Sequence, residues 1–348
     1  MEQQGRISLV LEKKALEQGE RVFWISEEGE VTYAGFFRKV EQLAGSLLSV
    51  GIRKGDRVGI WLSNRMEFTL VEMAANLIGA VGVPISTRYK SQELGYILKH
   101  SGVRILFMMD TLANIDFFNV LADIIPEISE TSSPDLQTEA LPALDHVVCL
   151  NLSGGEMPDY VLDFNTFMSA AEATEWKEGL EAAKDRGYTK ELSYIQYTSG
   201  STGLPKGVMY SHELVLTSLT AQGERFQLSP EDNMLIVAPF FHGLGHMGGP
   251  PLGIAFGASI VPLEIFDAEK ALQYIEKHHC TTLFAVPTMF QLMLEHPDFE
   301  KRNLSSLRVG LITAAPSPTG LHMEIIEKYP DMSLITGYGS TETGGGCT

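Results

Sequence analysis

Short apolar runs recur along this 348-residue chain, and most of them precede a segment whose apolar residues have helical spacing. The clearest runs are RVGIWL (57–62), VRILFMM (103–109), DHVVCL (145–150), LSYIQY (192–197), NMLIVAP (233–239), SIVPL (259–263), TTLFAVP (281–287), LRVGLITAA (307–315) and SLITGYG (333–339). Strands that alternate with helices predict an α/β layered fold with largely parallel sheets. Because these strands are too many for one sheet of ordinary size, we expect two related α/β halves, divided near residue 190.

Two segments depart from this alternation. Near the N-terminus, ALEQGERVFWISEEGEVTYAGF predicts a strand pair with a turn at Glu28-Gly29, followed by a helix. The stretch from about 125 to 190 is polar and acidic with weak strand signals, which indicates a surface excursion.

Charge and cysteine content limit the partners of the chain. The 26 basic and 44 acidic residues give a net charge of −18, which argues against nucleic acid or an anionic membrane as the main partner. The three cysteines are far apart and form no zinc-binding spacing. Together with an N-terminus that lacks a signal peptide, they favour a reducing, cytoplasmic location.

Residues 234–263 contain no charged side chain and are long enough to cross a bilayer. They also contain four prolines and six glycines, which would interrupt a membrane-spanning helix repeatedly. We therefore predict no membrane span here, but buried strands and loops that line a pocket.

The stretch YTSGSTGLPKGV (197–208) has the composition of an anion-binding loop. Its glycines allow the backbone to turn tightly and its lysine adds a cation, which suits the β- and γ-phosphates of a nucleotide. The usual P-loop pattern does not fit, because Pro205 precedes the lysine and Gly207 follows it. The candidate phosphate-binding residues are Thr198, Ser199, Gly200, Ser201, Thr202, Gly203 and Lys206.

This stretch resembles the phosphate-loop signature of the adenylate-forming (AMP-binding) enzyme family, which includes acyl- and aryl-CoA synthetases, peptide-synthetase adenylation domains and firefly-type luciferases. Other segments resemble family signatures in the family's order, so that the resemblance covers nearly the whole chain. They are residues 31–64, GAVGVPISTRY (79–89), PFFHGLGH (239–246), LITAAPSP (311–318) and GYGSTETGG (337–345). The resemblance implies the N-terminal domain of this family, with two layered α/β subdomains.

The family joins a carboxylate to ATP with Mg²⁺, releases pyrophosphate and passes the acyl group to a thiol, usually coenzyme A. The resemblance therefore implies roles for individual residues. It implies catalytic roles for Lys206, His242, Thr341 and Glu342, adenine contacts from Ala314, Ala315, Pro316 and Tyr338, an α-phosphate contact from Thr341, and metal contacts from Glu342 and Thr202.

The segment PFFHGLGH bears on the acid. Peptide-synthetase domains usually carry an aspartate there that pairs with the α-amino group of the substrate, whereas this segment has no carboxylate. A buried unpaired ammonium group would be costly, so we expect a fatty or aromatic acid. His242 matches a gating residue between the acyl and nucleotide pockets of CoA ligases. The expected substrate-pocket residues are Phe240, His242, Gly243, Met247 and Gly337.

The chain ends at Thr348, shortly after GYGSTE, whereas the family continues with a β-rich third subdomain and a mobile C-terminal domain. That domain carries a lysine that assists adenylation, so we expect this chain alone to be catalytically deficient. Two alternatives stay open: a non-catalytic module that binds nucleotide or acyl groups, and an adenylating enzyme that loads a carrier-protein thiol or emits light. The identity of the acid and the oligomeric state are left open.

Overall fold

The computed structural model of the chain describes residues 5–169, 176–184, 190–198 and 203–346. The strands in these residues are β1 Val22–Ser26, β2 Gly29–Thr32, β3 Arg57–Trp61, β4 Val81–Pro84, β5 Val103–Met109, β6 Thr111–Leu112, β7 Ile115–Asp116, β8 His146–Leu150, β9 Val161–Asp163, β10 Leu192–Thr198, β11 Lys206–Ser211, β12 Asn233–Ile236, β13 Ser259–Pro262, β14 Thr282–Ala285, β15 Val309–Ile312, β16 Ser333–Thr336, β17 Gly339–Ser340 and β18 Gly345–Gly346.

The α-helices are α1 Ile7–Glu17, α2 Tyr33–Ser49, α3 Met66–Leu77, α4 Ser91–Ser101, α5 Phe117–Ile124, α6 Phe164–Ser169, α7 Trp176–Lys184, α8 His212–Arg225, α9 Gly243–Met247, α10 Pro250–Phe256, α11 Ala268–His278, α12 Pro287–Leu294 and α13 Thr319–Lys328. Short 3-10 helices occupy Pro126–Glu130, Phe299–Lys301 and Thr341–Thr343. The alternation of strands and helices confirms the predicted α/β fold.

The chain folds as two compact units. We name the two units by their place in the sequence alone. The central unit comprises Phe37–Glu213 and the short N-terminal segment that ends at Leu9. The flanking unit comprises the stretches on either side of it in the sequence, Val10–Phe36 and the segment from Leu214 onward. Each unit has a seven-stranded sheet of its own among the described residues.

The sheet of the central unit has the order β11-β10-β4-β3-β5-β8-β9. All neighbouring strands are parallel except β10 and β11, which form an antiparallel hairpin at one edge. The middle strands β3, β4 and β5 are almost entirely buried, as expected for a parallel sheet with helices on both faces. At the other edge, β9 adds three residues within the stretch that the sequence analysis interprets as a surface excursion.

The sheet of the flanking unit has the order β16-β15-β14-β12-β13-β1-β2. The strands β16, β15, β14, β12, β13 and β1 are mutually parallel, and β2 closes the edge as the antiparallel partner of β1. The predicted strand pair is confirmed, but its turn lies one residue earlier than predicted. Ser26 and Gly29 are cross-strand partners, so Glu27 and Glu28 form the turn and Gly29 begins β2. Its place beside β13 follows from a single parallel register pair, Trp24 with Ile260.

The uncharged stretch 234–263 differs in part from its prediction. It contains the predicted strands β12 and β13, but two short helices, α9 and α10, replace the expected loops between them. Pro250 and Pro251 occupy the first turn of α10, where the missing N–H of proline costs no hydrogen bond. In the part of the chain that the structure describes, no helix is long and apolar enough to span a membrane.

A buried ion pair joins the amino ends of three neighbouring strands in the flanking unit. Asp232, which is 2% exposed, accepts hydrogen bonds from Arg308 Nε (2.8 Å) and Nη2 (2.6 Å), the Thr281 hydroxyl (2.6 Å) and the Ser229 amide (2.8 Å). Asp232, Thr281 and Arg308 immediately precede or flank β12, β14 and β15, respectively. Burial acts to raise the pKa of Asp232, but Arg308, Thr281 and Ser229 outweigh it and lower that pKa below its ordinary value.

We predict that Asp232→Asn lowers the free energy of unfolding by about 1–3 kcal/mol at pH 7, because it removes the charged acceptor of the Arg308 hydrogen bonds. The loss is limited because the Arg308 side chain is 35% exposed and keeps the Phe226 and Gln227 carbonyls as acceptors. Since the folded-state pKa of Asp232 is depressed, its stabilisation is complete above the unfolded-state pKa and is lost as pH falls through the folded value. Urea unfolding from pH 7 down to pH 3 should show the difference between wild type and variant shrinking below about pH 4.

Glu231→Gln is the matched control, because Glu231 is the neighbouring acid and pairs with Arg21 at the surface. It should cost far less stability than Asp232→Asn. Equal losses in the two variants, or a difference for Asp232→Asn that does not change with pH, would contradict this assignment.

Candidate functional site

The predicted phosphate-binding residues belong to the β10–β11 hairpin of the central unit. Thr198 is the last residue of β10, Lys206 is the first of β11, and the two are cross-strand partners. Directly opposed residues in an antiparallel pair present their side chains on the same face, about 5 Å apart at Cβ. The hairpin therefore places one hydroxyl and one exposed ammonium group side by side.

Four of the predicted phosphate-binding residues lie outside the described residues: Ser199, Gly200, Ser201 and Thr202. Gly203 begins the described part again with a φ of +104°, a conformation that glycine tolerates better than other residues. No atom lies within 4 Å of the position that a Cβ of Gly203 would occupy. The backbone approaching Lys206 is therefore open on that side.

The remaining predicted site residues belong to the flanking unit, where they follow strands of one parallel sheet. The segment with His242 follows β12, the predicted adenine loop 313–318 follows β15, and residues 337–343 follow β16. Because these strands are parallel, all three segments leave the sheet at its carboxyl edge. Ligands of open α/β sheets bind at this edge, in the crevice outside the strand ends.

His242 lies at the start of helix α9, in the segment after β12. Its amide donates to the Pro239 carbonyl (3.0 Å), and its own carbonyl accepts from the His246 amide (2.8 Å). The imidazole is exposed, yet the protein around it desolvates it enough to lower its pKa. The His242 side chain is therefore neutral at pH 7. Gly243, which follows, is half-buried.

Phe240 and Met247, two of the predicted substrate-pocket residues, have buried side chains. Phe240 is fully buried and packs edge to face against Trp24 of β1, with ring centroids 6.1 Å apart. Met247, at the end of α9, is 1% exposed. Both side chains are therefore packed inside the flanking unit.

The two loops after β15 and β16 are joined by hydrogen bonds. The Thr313 hydroxyl donates to the Gly337 carbonyl (2.8 Å), and the Gly337 amide donates to the Ile312 carbonyl (3.0 Å). A Cβ on Gly337 would come within 3.0 Å of Thr313 Oγ1 and of Leu311 Cδ1. Glycine at 337 thus permits the close approach of the two loops.

The predicted adenine contacts are exposed at this edge. Ala314, Ala315 and Pro316 are all exposed, and Tyr338 is 80% exposed. Ala314 has a φ of +69°, a left-handed conformation that costs a non-glycine residue roughly 1–2 kcal/mol. The aromatic ring of Tyr338 and the three small side chains are thus all accessible to a ligand.

Thr341 and Glu342 form a short 3-10 helix with Thr343. Ser340 caps it, with its amide bonded to the Thr343 hydroxyl at 3.1 Å. Glu342 is exposed and Thr341 is half-buried. Gly344 ends the turn with a φ of +74° and packs so closely on α8 that a Cβ would lie 3.1 Å from Leu214 Cδ1. The carboxylate of Glu342 is thus presented on a rigidly closed turn.

Metal binding by this edge would depend on Glu342. Among the described residues, no group of three or more His, Cys, Asp or Glu side chains is arranged to hold a metal ion. Mg²⁺ is commonly bound by one or two carboxylates together with substrate phosphates, and it retains water ligands. An exposed single carboxylate such as Glu342 fits that mode of binding. Thr202, the other predicted metal contact, lies outside the described residues.

The sequence analysis did not single out Gly245, which shapes the His242 segment. A Cβ at this position would lie 2.2 Å from the Pro239 carbonyl oxygen and 2.4 Å from that of Ala238. Only glycine allows helix α9 to fold back so closely on the strand exit. The signal in the sequence was the spacing of glycines in HGLGH, whose structural reason becomes visible only with the fold.

Comparison with known proteins gives a consistent picture. A family model described as AMP-binding enzyme matches residues 11–348. The chain is 36% identical over 314 residues to YngI of Bacillus subtilis (strain 168), named as an acyl-CoA synthetase, which covers 89% of this chain and 56% of that protein. It is 31% identical over 325 residues to the mitochondrial medium-chain acyl-CoA ligase of Homo sapiens, covering 91% and 52%, respectively.

Solved structures share the fold. The anthranilate CoA ligase AuaEII, in complex with anthranoyl-AMP, has a TM-score of 0.84 at 22% identity, over 99% of this chain and 61% of that one. The inhibitor-bound N-terminal domain of FACL13 from Mycobacterium tuberculosis has a TM-score of 0.76 at 24% identity, over 98% and 77%. The chain spans about half the length of the curated relatives that it matches.

We predict that Gly245→Ala lowers the free energy of unfolding by about 1–3 kcal/mol, because the added methyl group must displace two backbone carbonyls. The variant should also shift the NMR signals of the His242 ring, since His242 and Gly245 pack on the same carbonyl of Pro239. Thermal unfolding and histidine NMR measure both effects.

Gly320→Ala in α13 is the control, because no atom lies within 4 Å of its Cβ position and alanine favours helix. It should leave stability unchanged or raise it by up to about 1 kcal/mol. An unchanged stability and an unchanged His242 signal in Gly245→Ala would contradict the close packing at this turn.

Proposed function

Because the chain belongs to the AMP-binding enzyme family, whose matched relatives are acyl-CoA ligases, we propose that it activates a carboxylic acid with ATP. The product is an acyl-adenylate, from which coenzyme A takes the acyl group. The observation that carries this proposal is the convergence of His242, the loop 313–318 and residues 337–343 at one carboxyl edge of a parallel sheet.

In the proposed reaction, a carboxylate oxygen attacks the α-phosphorus of ATP. The bond from that phosphorus to the oxygen bridging to the β-phosphate breaks, and pyrophosphate leaves with the electron pair. Catalysis of such a transfer consists of positioning and of charge neutralisation. Ala314, Ala315, Pro316 and Tyr338 would hold the adenine, and Thr341 would contact the α-phosphate.

The β10–β11 hairpin supplies the counter-charge for the leaving pyrophosphate. Lys206 adds a cation and Thr198 a hydroxyl on the same face of the hairpin. Ser199, Gly200, Ser201 and Thr202 would complete this phosphate grip with Gly203. Glu342 and Thr202 would hold Mg²⁺, which supplies further neutralisation of phosphate charge when bound. In a chain with a net charge of −18, these local groups must create the positive potential themselves.

For the acid, we propose a fatty or aromatic compound. The described segment 237–247 carries no acidic side chain that could pair with an ammonium group, and His242 in it is neutral at pH 7. The human relative is named for medium-chain acids. His242, Gly243 and Gly337 would border the acyl group, and the buried Phe240 and Met247 would line the deeper part of its pocket.

For the acceptor, we propose coenzyme A over a carrier-protein thiol. The support is the naming of both matched relatives as CoA ligases or synthetases. The chain covers 52–56% of the length of these relatives. Transfer of the acyl group to the thiol is therefore proposed for the full-length protein.

We predict that the chain binds non-hydrolysable acyl-adenylate analogues, tested by calorimetry from acetyl to palmitoyl and with benzoyl. Affinity should rise about fourfold per methylene until the pocket is filled. His242→Ala should weaken only the analogues whose acyl group reaches the site, and should leave AMP binding unchanged. If no analogue binds more tightly than AMP, the proposed acid activation is wrong.

Lys206→Ala should weaken binding of ATP roughly 10- to 100-fold, the size of a charged hydrogen-bond contact, and should leave adenosine binding unchanged. Lys39→Ala, which removes an exposed lysine on α2, is the control. Equal ATP affinity in the Lys206 and Lys39 variants would exclude Lys206 from the phosphate site.

We also predict that Glu342→Gln weakens ATP binding in the presence of Mg²⁺ but has little effect when the metal is removed with EDTA, because the carboxylate acts through the ion. Glu324→Gln, an exposed acid on α13, is the control and should change neither value. A loss of ATP affinity that is equal with and without Mg²⁺ would contradict metal binding by Glu342.

A further inference from the structure

We propose that Tyr197 and His100 form an anchor that positions the Thr198–Lys206 end of the β10–β11 hairpin. Neither residue is predicted to touch a ligand; both would act through the hairpin that carries the phosphate-binding groups. The consequence for nucleotide binding rests on the proposed function, whereas the anchor itself is a property of the central unit.

The need for an anchor follows from the pairing of β10. β10 pairs with β11 along its whole length, from Leu192 to Thr198. Its pairing with β4, on the other side, has one register pair in the described residues, Tyr194 with Gly82. In the described residues, β4 thus has no further register pair with β10 beyond Tyr194, and contacts from helix α4 can contribute to positioning this end of the hairpin.

The buried Tyr197 ring packs against the opposite strand at this end of the hairpin. Tyr197 is 8% exposed and is the cross-strand partner of Gly207, next to Lys206. A Cβ on Gly207 would lie 3.2 Å from Tyr197 Cζ and 2.9 Å from Ile195 Cγ2. The missing side chain at Gly207 therefore gives the Tyr197 ring its space, which supplies a reason for the glycine after Lys206.

The hydroxyl of Tyr197 connects the hairpin to helix α4. Tyr197 Oη lies 2.7 Å from His100 Nδ1, and the two rings meet edge to face at 5.8 Å. His100 is in the last turn of α4 and is itself stacked on Tyr96, at 5.2 Å and 20°. The stacking on Tyr96 of the same helix therefore fixes the orientation of the His100 imidazole that contacts the hairpin.

Burial raises the pKa of Tyr197 to about 12, although the hydroxyl of Ser101 acts in the opposite direction. The phenol thus remains protonated at neutral pH and can donate its proton to an unprotonated Nδ1 of His100. The Tyr197–His100 hydrogen bond is made one residue before Thr198, the last residue of β10. It therefore constrains the end of the strand directly.

Small displacements of the strand end that carries Thr198 and Lys206 should have large effects on phosphate binding. A group that must meet a phosphate within hydrogen-bond distance loses most of its contribution when it moves by about 1 Å. Loss of the anchor should therefore weaken the binding of phosphate-bearing ligands and leave the adenosine moiety unaffected. A residue with only a general role in stability would not separate these two ligands.

The test compares Tyr197→Phe, His100→Ala and the double variant with wild type, and uses Tyr160→Phe as the control. Tyr160 is an equally buried tyrosine of the central unit, beside β9 at the far edge of the sheet. Two readouts are measured for each protein: the Kd values of MgATP and of adenosine by calorimetry, and hydrogen exchange of the amides in 206–211.

We expect each single variant to weaken MgATP roughly 3- to 10-fold, the size of one hydrogen bond, with no change for adenosine. Exchange in 206–211 should accelerate in both. Because the two side chains act as one pair, the double variant should lose no more than a single variant does. Tyr160→Phe should change neither readout.

Two results would overturn the anchor: exchange in 206–211 equal to wild type in both single variants, or additive losses in the double variant. Since His100 is exposed, His100→Ala keeps the test valid even if Tyr197→Phe unfolds. If wild type binds no MgATP, the proposed function fails, and the exchange data alone decide whether the anchor exists.

Discussion

Parallel pairing of β12, β14, β15 and β16 is the constraint on which the site depends. Strands that run in one direction must all end at the same edge, so segments more than 90 residues apart in the chain leave the sheet together. The Asp232–Arg308 pair fixes the opposite edge, where the same strands begin. The ion pair thus connects the amino ends of these strands, while the proposed ligand site lies at their carboxyl ends.

The chemistry at the carboxyl edge requires little from each side chain. In the proposed function, the exposed Tyr338, the small residues 314–316 and the carboxylate of Glu342 would supply a stacking surface and a metal contact. Acidic residues outnumber basic ones in this chain, and Lys206 on the β10–β11 hairpin is the cation that the proposal assigns to the phosphates. A strongly acidic protein can accommodate a polyphosphate when backbone amides and one cation are placed locally.

Most elements could be predicted from the sequence, because apolar periodicity reports burial directly. The strands from Arg57 to Thr336 and the β1–β2 hairpin are examples, although the hairpin turn is at Glu27-Glu28 and not at Glu28-Gly29. Long-range pairing could not be predicted: nothing in the periodicity of residues 22–32 indicates that β1 joins β13, more than 230 residues later. Helix α10 was missed because its two prolines count against a helix unless they stand in the first turn.

The site was predictable to the extent that motifs determine it. The motif around His242 predicts a substrate-pocket segment, but spacing alone could not show that the side chains of Phe240 and Met247 are buried. The positive φ of Ala314 and the backbone contact at Gly245 are likewise properties of the folded chain. The roles of Thr198, Lys206, Thr341 and Glu342 remain predictions that ligand binding must test.

The central claim is that the carboxyl edge of the flanking unit holds the adenine ring. Photolabelling with 8-azido-ATP, followed by peptide mapping, tests it most directly. The account predicts labelling in the peptides that contain Ala314–Pro316 and Tyr338, abolished by excess ATP. Labelling confined to other segments, or labelling in these peptides that excess ATP does not reduce, would contradict it.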